Sequence, residues 1–306
     1  MPALTRRRFL TISAGVAALA AAPRARADDL YVWRGNALGA EAVIRLPAGP
    51  EAAPAAARAA AELARLEAVF SLFRTDSALA ALNRDGSLDA PPPELLDCLS
   101  LVGRVHAATG GRFDPTVQPL WALYAERYAT GLAPSRREIE AALALTGWPR
   151  VAYDESRVTL APGMALTLNG IAQGYITDRI AGMLRADGHR DILVNTGEYR
   201  AVGGMPSGGG WPVTLAASGT RITLDDRALA TSSPLGTTFD QSESVGHILD
   251  PQSGRPAPSR WRAVSISAPQ AAVADALSTA ACLMEDRSQI AGCLAAFPGA
   301  RIEDLA

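Results

Sequence analysis

The chain has 306 residues, with 29 basic and 31 acidic side chains and 48% hydrophobic residues. Every basic residue is arginine, which excludes a lysine Schiff base, a lysine nucleophile and a phosphate loop built on lysine. A net charge of −2 offers no basic surface to neutralise nucleic-acid phosphates, so nucleic acid is not an expected partner.

At the start, Thr5-Arg6-Arg7-Arg8-Phe9-Leu10 has the twin-arginine shape, an apolar run follows from Thr11 to Ala22, and Ala25-Arg26-Ala27 supplies a small-x-small cleavage site. The run is shorter than the roughly 20 residues a bilayer span requires. Residues 1–27 therefore read as an export signal, and the remainder as a soluble periplasmic protein that does not span a membrane once the leader is removed. Losing the leader removes five arginines and no acid, leaving 24 basic against 31 acidic side chains and a formal charge of −7. About 280 residues remain, enough for one elaborate domain or two small ones.

Residues 37–46 alternate apolar and polar positions as a strand does. An alanine- and leucine-rich stretch, 54–70, predicts a long helix. Residues 71–83 read as a loop entering a short helix, with Thr75-Asp76-Ser77 as its start signal. After the prolines at 91–93 a helix is expected over 94–109, closed by Gly110-Gly111. Phe113-Asp114-Pro115-Thr116 is a turn into a helical segment, 117–128. A further helix over 134–147 has Ser135 as cap and Gly147 as stop. Strands follow at 151–153, 158–160 and 165–168, then a helix over 170–187 entered through a glycine-flanked turn. Strands at 191–195, 213–217, 221–224, 227–231 and 262–267 precede a last helix at 271–284. Helices and antiparallel strands interleave without a βαβ rhythm, which predicts an α+β fold with mixed or antiparallel sheets flanked by helices.

Two segments near the C-terminus carry chemistry. Gly246-His247-Ile248-Leu249-Asp250-Pro251-Gln252-Ser253-Gly254 reads as a strand entering a Pro/Gly turn, with a histidine suited to act as a base at its start. Ala274-Asp275-Ala276-Leu277-Ser278-Thr279-Ala280 reads as a helix with Asp275 and Thr279 four residues apart on one face. A carboxylate one turn before a hydroxyl offers two hard oxygen ligands for Mg²⁺ or Mn²⁺. The competing reading makes Asp275 a helix N-cap and Thr279 core packing. His106, in an apolar helix, and His189, after a helix end, read as structural and solvated. Asp178 reads equally as bracing the fold through an arginine or touching ligand, and is left out of the site. The glycine-rich turn 205–210 has no following helix to cradle phosphate. Cys98, Cys282 and Cys293 lack paired spacing and read as buried free thiols.

Four segments together resemble the ApbE family of FAD:protein FMN transferases: Phe113-Asp114-Pro115-Thr116-Val117-x-Pro119-Leu120, Asn169-Gly170-Ile171-Ala172-Gln173-Gly174-Tyr175-x-x-Asp178, Gly246-His247-Ile248-Leu249-Asp250-Pro251-x-x-Gly254 and Ala274-Asp275-Ala276-x-x-Thr279. The resemblance covers about residues 31–300 and implies a single ApbE-like domain over 28–306 with a helical segment in its N-terminal half. It implies an enzyme that binds FAD with Mg²⁺, passes FMN to a Thr or Ser hydroxyl of an acceptor flavoprotein through a phosphoester, and releases AMP. It assigns Asp275, Thr279 and the Gly170 carbonyl to the metal and His247 to the acceptor's proton. Leu38, Phe73, Arg112, Phe113, Asp114, Thr167, Gln173 and Leu249 fall at flavin- or adenine-contacting positions. Residues 170–174 would bring backbone close to an anionic phosphate at a helix start.

The departures from the family pattern are Thr167 in place of an acid, Gln173 in place of lysine or glutamate, Phe73 in place of tyrosine, and Gly197-Glu198-Tyr199 in place of Gly-Gly-Asp. The Gly-Glu-x-Arg variant together with the leader resembles the branch that accompanies nitrous-oxide-reductase maturation, where the acceptor is a periplasmic domain of a membrane electron-transfer protein. The rival readings are a flavin carrier without transferase activity, a metal-dependent FAD pyrophosphatase, and an assembly factor without chemistry.

Overall fold

The computed structural model describes residues 30–306, so the export signal expected over residues 1–27 lies outside the described residues. Strands β1 (Leu30–Ala37) and β2 (Ala40–Pro47) form a hairpin, where the sequence suggested one strand over 37–46. Leu38 and Gly39 both take positive φ and close it as a two-residue turn. Helix α1 (Ala52–Phe70) buries Ala52, Ala55, Ala56, Ala59, Leu63, Leu66 and Phe70, a stripe at helical spacing. Pro54 is tolerated there because the first-turn N–H groups have no helical acceptor. Burying its larger side chains, such as Leu66 and Phe70, stabilises the fold by about 1.5–3 kcal/mol each.

Helix α2 (Ala78–Asp85) starts at Ser77, whose hydroxyl accepts from the Ala80 N–H, and stops at Gly86 in the left-handed conformation. Strand β3 (Ser87–Asp89) and helix α3 (Pro93–Ala108) follow, then a 3₁₀ turn at Pro115–Val117 and helix α4 (Gln118–Ala129). Helix α5 (Arg136–Leu143) carries a complete capping box between Ser135 and Glu138. A second 3₁₀ turn (Trp148–Arg150) leads to β4 (Ala152–Tyr153) and β5 (Arg157–Thr159), which with β3 make a small antiparallel sheet.

The remaining elements are α6 (Ala172–Ala186), β6 (Ile192–Asn195), β7 (Tyr199–Val202), β8 (Trp211–Thr214), β9 (Arg221–Leu224), β10 (Ala228–Ser232), β11 (Val264–Ala268), α7 (Ala271–Ala281), α8 (Arg287–Leu294) and β12 (Arg301–Leu305). The principal sheet has the order β1-β2-β6-β7-β10-β11-β12, and every pairing in it is antiparallel. Helices α6 and α7 pack on one another and on this sheet, and α1 packs on α6. The result is an α+β architecture. Among the described residues no helix is long and apolar enough to cross a membrane.

Two expected strands do not form. Residues 165–168 run extended but pair with a side chain: the Asn83 amide donates to the Leu166 carbonyl at 2.8 Å and accepts from the Leu166 N–H at 2.7 Å. Residues 246–249 fold back on their own turn, with Ala257 N–H donating to the Ile248 carbonyl and Asp250 N–H donating to that of Arg255. Strands β1, β3, β7 and β12 and helix α8 have no counterpart in the sequence reading.

Candidate active site

One cleft gathers the ends of several elements: the Arg112–Val117 turn, Trp121 of α4, the 167–173 approach to α6, the β6–β7 turn at Glu198, the end of β10 at Thr231–Ser233, the 247–249 segment, and Asp275 and Thr279 of α7. Of the residues the sequence singled out, Arg112, Phe113, Asp114, Thr167, Gly170, Gln173, His247, Leu249, Asp275 and Thr279 line it. Leu38 and Phe73 are not among its lining residues. Leu38 sits at the β1–β2 turn, its N–H donating to the Glu67 carboxylate at 2.6 Å. Phe73 is 54% exposed on the loop between α1 and α2.

Asp275 is not an N-cap, a place taken by Gln270; it lies inside α7 and is 4% exposed. Its Oδ2 accepts from the Gly174 N–H at 3.1 Å. Burial pushes its carboxyl up to about 7, and the nearby Asp178 charge acts in the same direction. Thr279, one turn on, lies with its Oγ1 3.2 Å from Ser232 Oγ, which in turn lies 2.7 Å from Ser278 Oγ. Gly170 faces this hydroxyl so closely that a Cβ there would come 3.0 Å from Thr279 Oγ1 and 3.2 Å from its Cγ2. The resulting donor set of buried carboxylate, hydroxyl and adjacent glycine backbone is all hard oxygen, which fits Mg²⁺ or Mn²⁺. Among the described residues no three His, Cys, Asp or Glu side chains cluster as a metal site, so a cation here depends on hydroxyl and carbonyl ligands as well.

Within the segment 170–174, Gly174 makes its close backbone approach to the start of α7. A Cβ on Gly174 would collide with the Ala271 carbonyl and lie 2.6 Å from the Ala272 nitrogen, and the Gly174 N–H is already given to Asp275. Asp178 reaches the other way, accepting from the Ala271 and Ala272 N–H groups at 2.8 and 3.0 Å. It also lies 3.8 Å from Arg200 Nε, the arginine partner the sequence suggested.

His247 is held by a loop that turns back on α4. Its Nδ1 lies 3.0 Å from the Thr237 carbonyl, and its N–H donates to the same oxygen at 3.1 Å. Burial lowers its pKa below the ordinary value, while the Thr237 and Pro234 carbonyls favour the protonated ring. An imidazole so placed is neutral near pH 7 and meets acceptors ready for the imidazolium that forms when it takes a proton. The Phe239 ring, in the same loop, lies against Trp121, Tyr124 and Tyr128 with centroids 5.2, 5.4 and 6.4 Å away.

Asp114 spends its side chain on its own turn: Oδ1 accepts from the Thr116 N–H and Oδ2 from that of Trp148. His106 Nδ1 lies 3.0 Å from the Phe113 carbonyl, and so it braces this turn. Cys98 and Cys282 are buried free thiols, pushed up by burial, and Cys293 is half-buried. Trp121, Asn169, Glu198 and Thr231–Ser233 also line the cleft, although the sequence reading gave them no site role. Asn169 carried a signal as the first residue of a quoted motif, and Glu198 as a departure from the family pattern.

The model of the ApbE family matches residues 38–295. The FAD:protein FMN transferase of Chlamydia pneumoniae is 28% identical over 225 residues, covering 70% of this chain and 71% of that protein. Among solved structures, the ApbE protein of Thermotoga maritima superposes with a TM-score of 0.78 at 28% identity, over 90% of this chain and 96% of its own. The flavinyl transferase ApbE of Pseudomonas stutzeri, in its apo form, gives 0.75 at 26% identity over 88% and 89%.

Proposed function

The chain belongs to the ApbE family and is an FAD:protein FMN transferase, and on that premise we propose that its cleft performs a Mg²⁺- or Mn²⁺-dependent transfer of FMN from FAD to a Thr or Ser hydroxyl. The observation that carries this reading is the convergence of Gly170, His247, Asp275 and Thr279 on one cleft from three segments spread over residues 170–279. In it, Asp275, Thr279 and the Gly170 carbonyl hold the cation, which when bound neutralises charge on the pyrophosphate.

The acceptor oxygen attacks the phosphorus of the FMN half, the bond from that phosphorus to the bridging oxygen breaks, and AMP leaves with the bridging oxygen. His247 takes the hydroxyl proton, a contribution of about 10² to 10⁴ in rate. Arg112, Phe113, Asp114, Thr167, Gln173 and Leu249 contact the flavin or adenine from within the cleft, and Leu38 and Phe73 from outside its lining. Phe113 and Leu249 are buried apolar walls; Asp114 presents its backbone, since its carboxylate is occupied. The protein acts in the periplasm after export, on a periplasmic flavoprotein domain of a membrane electron-transfer chain that serves nitrous-oxide reductase.

Intact-mass measurement tests this. The protein is incubated with FAD, Mg²⁺ and an acceptor domain, with an EDTA control. A metal-dependent gain of one FMN on the acceptor, with AMP released, supports transfer. FMN and AMP beside an unmodified acceptor indicate pyrophosphatase activity, and intact bound FAD indicates a carrier; either overturns it.

A further inference from the structure

Beside Asp275 and Asp114, the cleft holds a third buried carboxylate, to which the preceding reading gives no work. Glu198 is 9% exposed and lines the same cleft as Asp275 and Thr279. The Asp275 charge acts on it, and the groups that act on either carboxylate are acidic side chains and backbone N–H groups. Two such carboxylates facing one water-poor space are costly unless a cation joins them.

The backbone around Glu198 is held on both sides. It sits in the β6–β7 connection, where Gly197 takes φ 114° and donates its N–H to the Asn195 side chain at 3.0 Å. Gln173 is pressed against Gly197 so closely that a Cβ there would come 2.5 Å from Nε2. The Glu198 carbonyl accepts from the Thr196 N–H and the Thr177 hydroxyl, both at 3.3 Å. The carboxylate itself accepts from the Thr231 N–H. Thr231 precedes Ser232, whose hydroxyl lies 3.2 Å from Thr279 Oγ1. Consecutive residues of β10 thus contact Glu198 and Thr279.

We infer that Glu198 supplies a carboxylate oxygen to the same divalent cation as Asp275, Thr279 and the Gly170 carbonyl. This rests on the metal reading above and extends it. Two carboxylates match the charge of one divalent ion, so the protein binds its cation before FAD arrives, without needing the pyrophosphate to complete the ligand set.

Mn²⁺ titration of FAD-free protein, followed by the EPR signal of unbound Mn²⁺, tests this without any turnover. Glu198→Gln is expected to weaken binding at least tenfold, and Asp275→Asn to abolish it. If Glu198→Gln binds as the wild type does while Asp275→Asn loses binding, Glu198 is not a ligand and the metal reading stands. If Asp275→Asn also binds as the wild type does, both readings fall. Thermal melting supplies a second readout: Glu198→Gln is expected to melt no lower than the wild type in EDTA and to gain less on adding Mn²⁺. A gain equal to that of the wild type overturns the inference.

Discussion

The Gly174 N–H donates to the Asp275 carboxylate at 3.1 Å, and one turn further along α6 Asp178 accepts from the first two N–H groups of α7. Each helix satisfies donors at the start of the other, and the carboxylate assigned to the metal is fixed by the same exchange. Asp275 thus has one oxygen engaged by backbone and a second free to turn to a ligand.

Gly174 is what lets the two helix starts meet. Gly174→Ala places a Cβ against the Ala271 carbonyl, where neither backbone can yield easily. The expected loss is roughly 3 kcal/mol, at the upper end for overpacking, read as a lower urea midpoint. Gly182 on the same helix is the control, because a Cβ there meets nothing within 4 Å. Gly182→Ala is expected to be neutral or to stabilise by up to about 1 kcal/mol. Equal effects at the two sites would show that the close approach at Gly174 is not limiting.

His247→Ala is expected to lower kcat by about 10² to 10⁴ while changing FAD affinity little. The pH profile gives a second check. Only the neutral ring can accept a proton, and burial lowers its pKa, so activity persists at pH values below the ordinary histidine range. The acid limb of kcat/KM should therefore have its midpoint below 6.5. An acid limb above that value, or equal losses in rate and binding, would make His247 a binding residue.

What was legible in the sequence was whatever lies close along the chain. The Ser77 and Ser135 caps, the helix stripes and the one-turn spacing of Asp275 and Thr279 are local features, and the structure has them. The segment 165–168 has strand-like residues but pairs with no strand: Asn83, 83 residues before Leu166, takes both backbone groups of Leu166, the Thr167 N–H donates to the Pro115 carbonyl, and the Leu168 carbonyl accepts from the start of α6. Strand β12 was missed because Arg301–Leu305 is mostly charged and lies at a sheet edge, where burial does not demand alternation. Glu198 stood out only as an odd residue in a known motif, since its place in one cleft with Asp275 of α7, 77 residues later, arises only in the folded chain. Within the glycine-flanked segment 170–174, the close approach of Gly174 is to the start of α7, which the sequence does not place beside it.

Asp178 makes stability depend on pH. Burial raises its carboxyl to about 6 against an ordinary 3.8, with the two N–H groups and Arg200 opposing. A raised folded-state value means that this stability is present below about pH 4 and is lost as pH rises through 6, because the unfolded chain ionises first. A shift of this size corresponds to about 3 kcal/mol. Asp178→Asn keeps an acceptor oxygen and cannot ionise. In urea unfolding without metal, the free-energy difference between variant and wild type is expected to move toward the variant by that order between pH 4 and pH 7. A constant difference would mean that Asp178 ionises normally in the fold.

Phe239 is expected to act on the reaction without touching it. Its ring is wedged against Trp121, Tyr124 and Tyr128, and its N–H donates to the Val245 carbonyl, closing the loop that ends in His247. Asp240 adds a second tie, accepting from the Ser244 and Val245 N–H groups. Removing the ring leaves Thr237, and with it the Nδ1 contact of His247, attached to a loop with one anchor. Phe239→Ala should therefore cost about 2 kcal/mol of stability, less than a fully buried phenylalanine. Its mark on catalysis should resemble a weaker His247→Ala: kcat reduced about tenfold or more, KM for FAD nearly unchanged, and the acid limb moved toward pH 6.5 as the ring gains solvent. Phe239→Leu, which refills most of the space, should restore both the rate and the pH profile. A variant that loses stability but keeps the wild-type acid limb would confine Phe239 to packing.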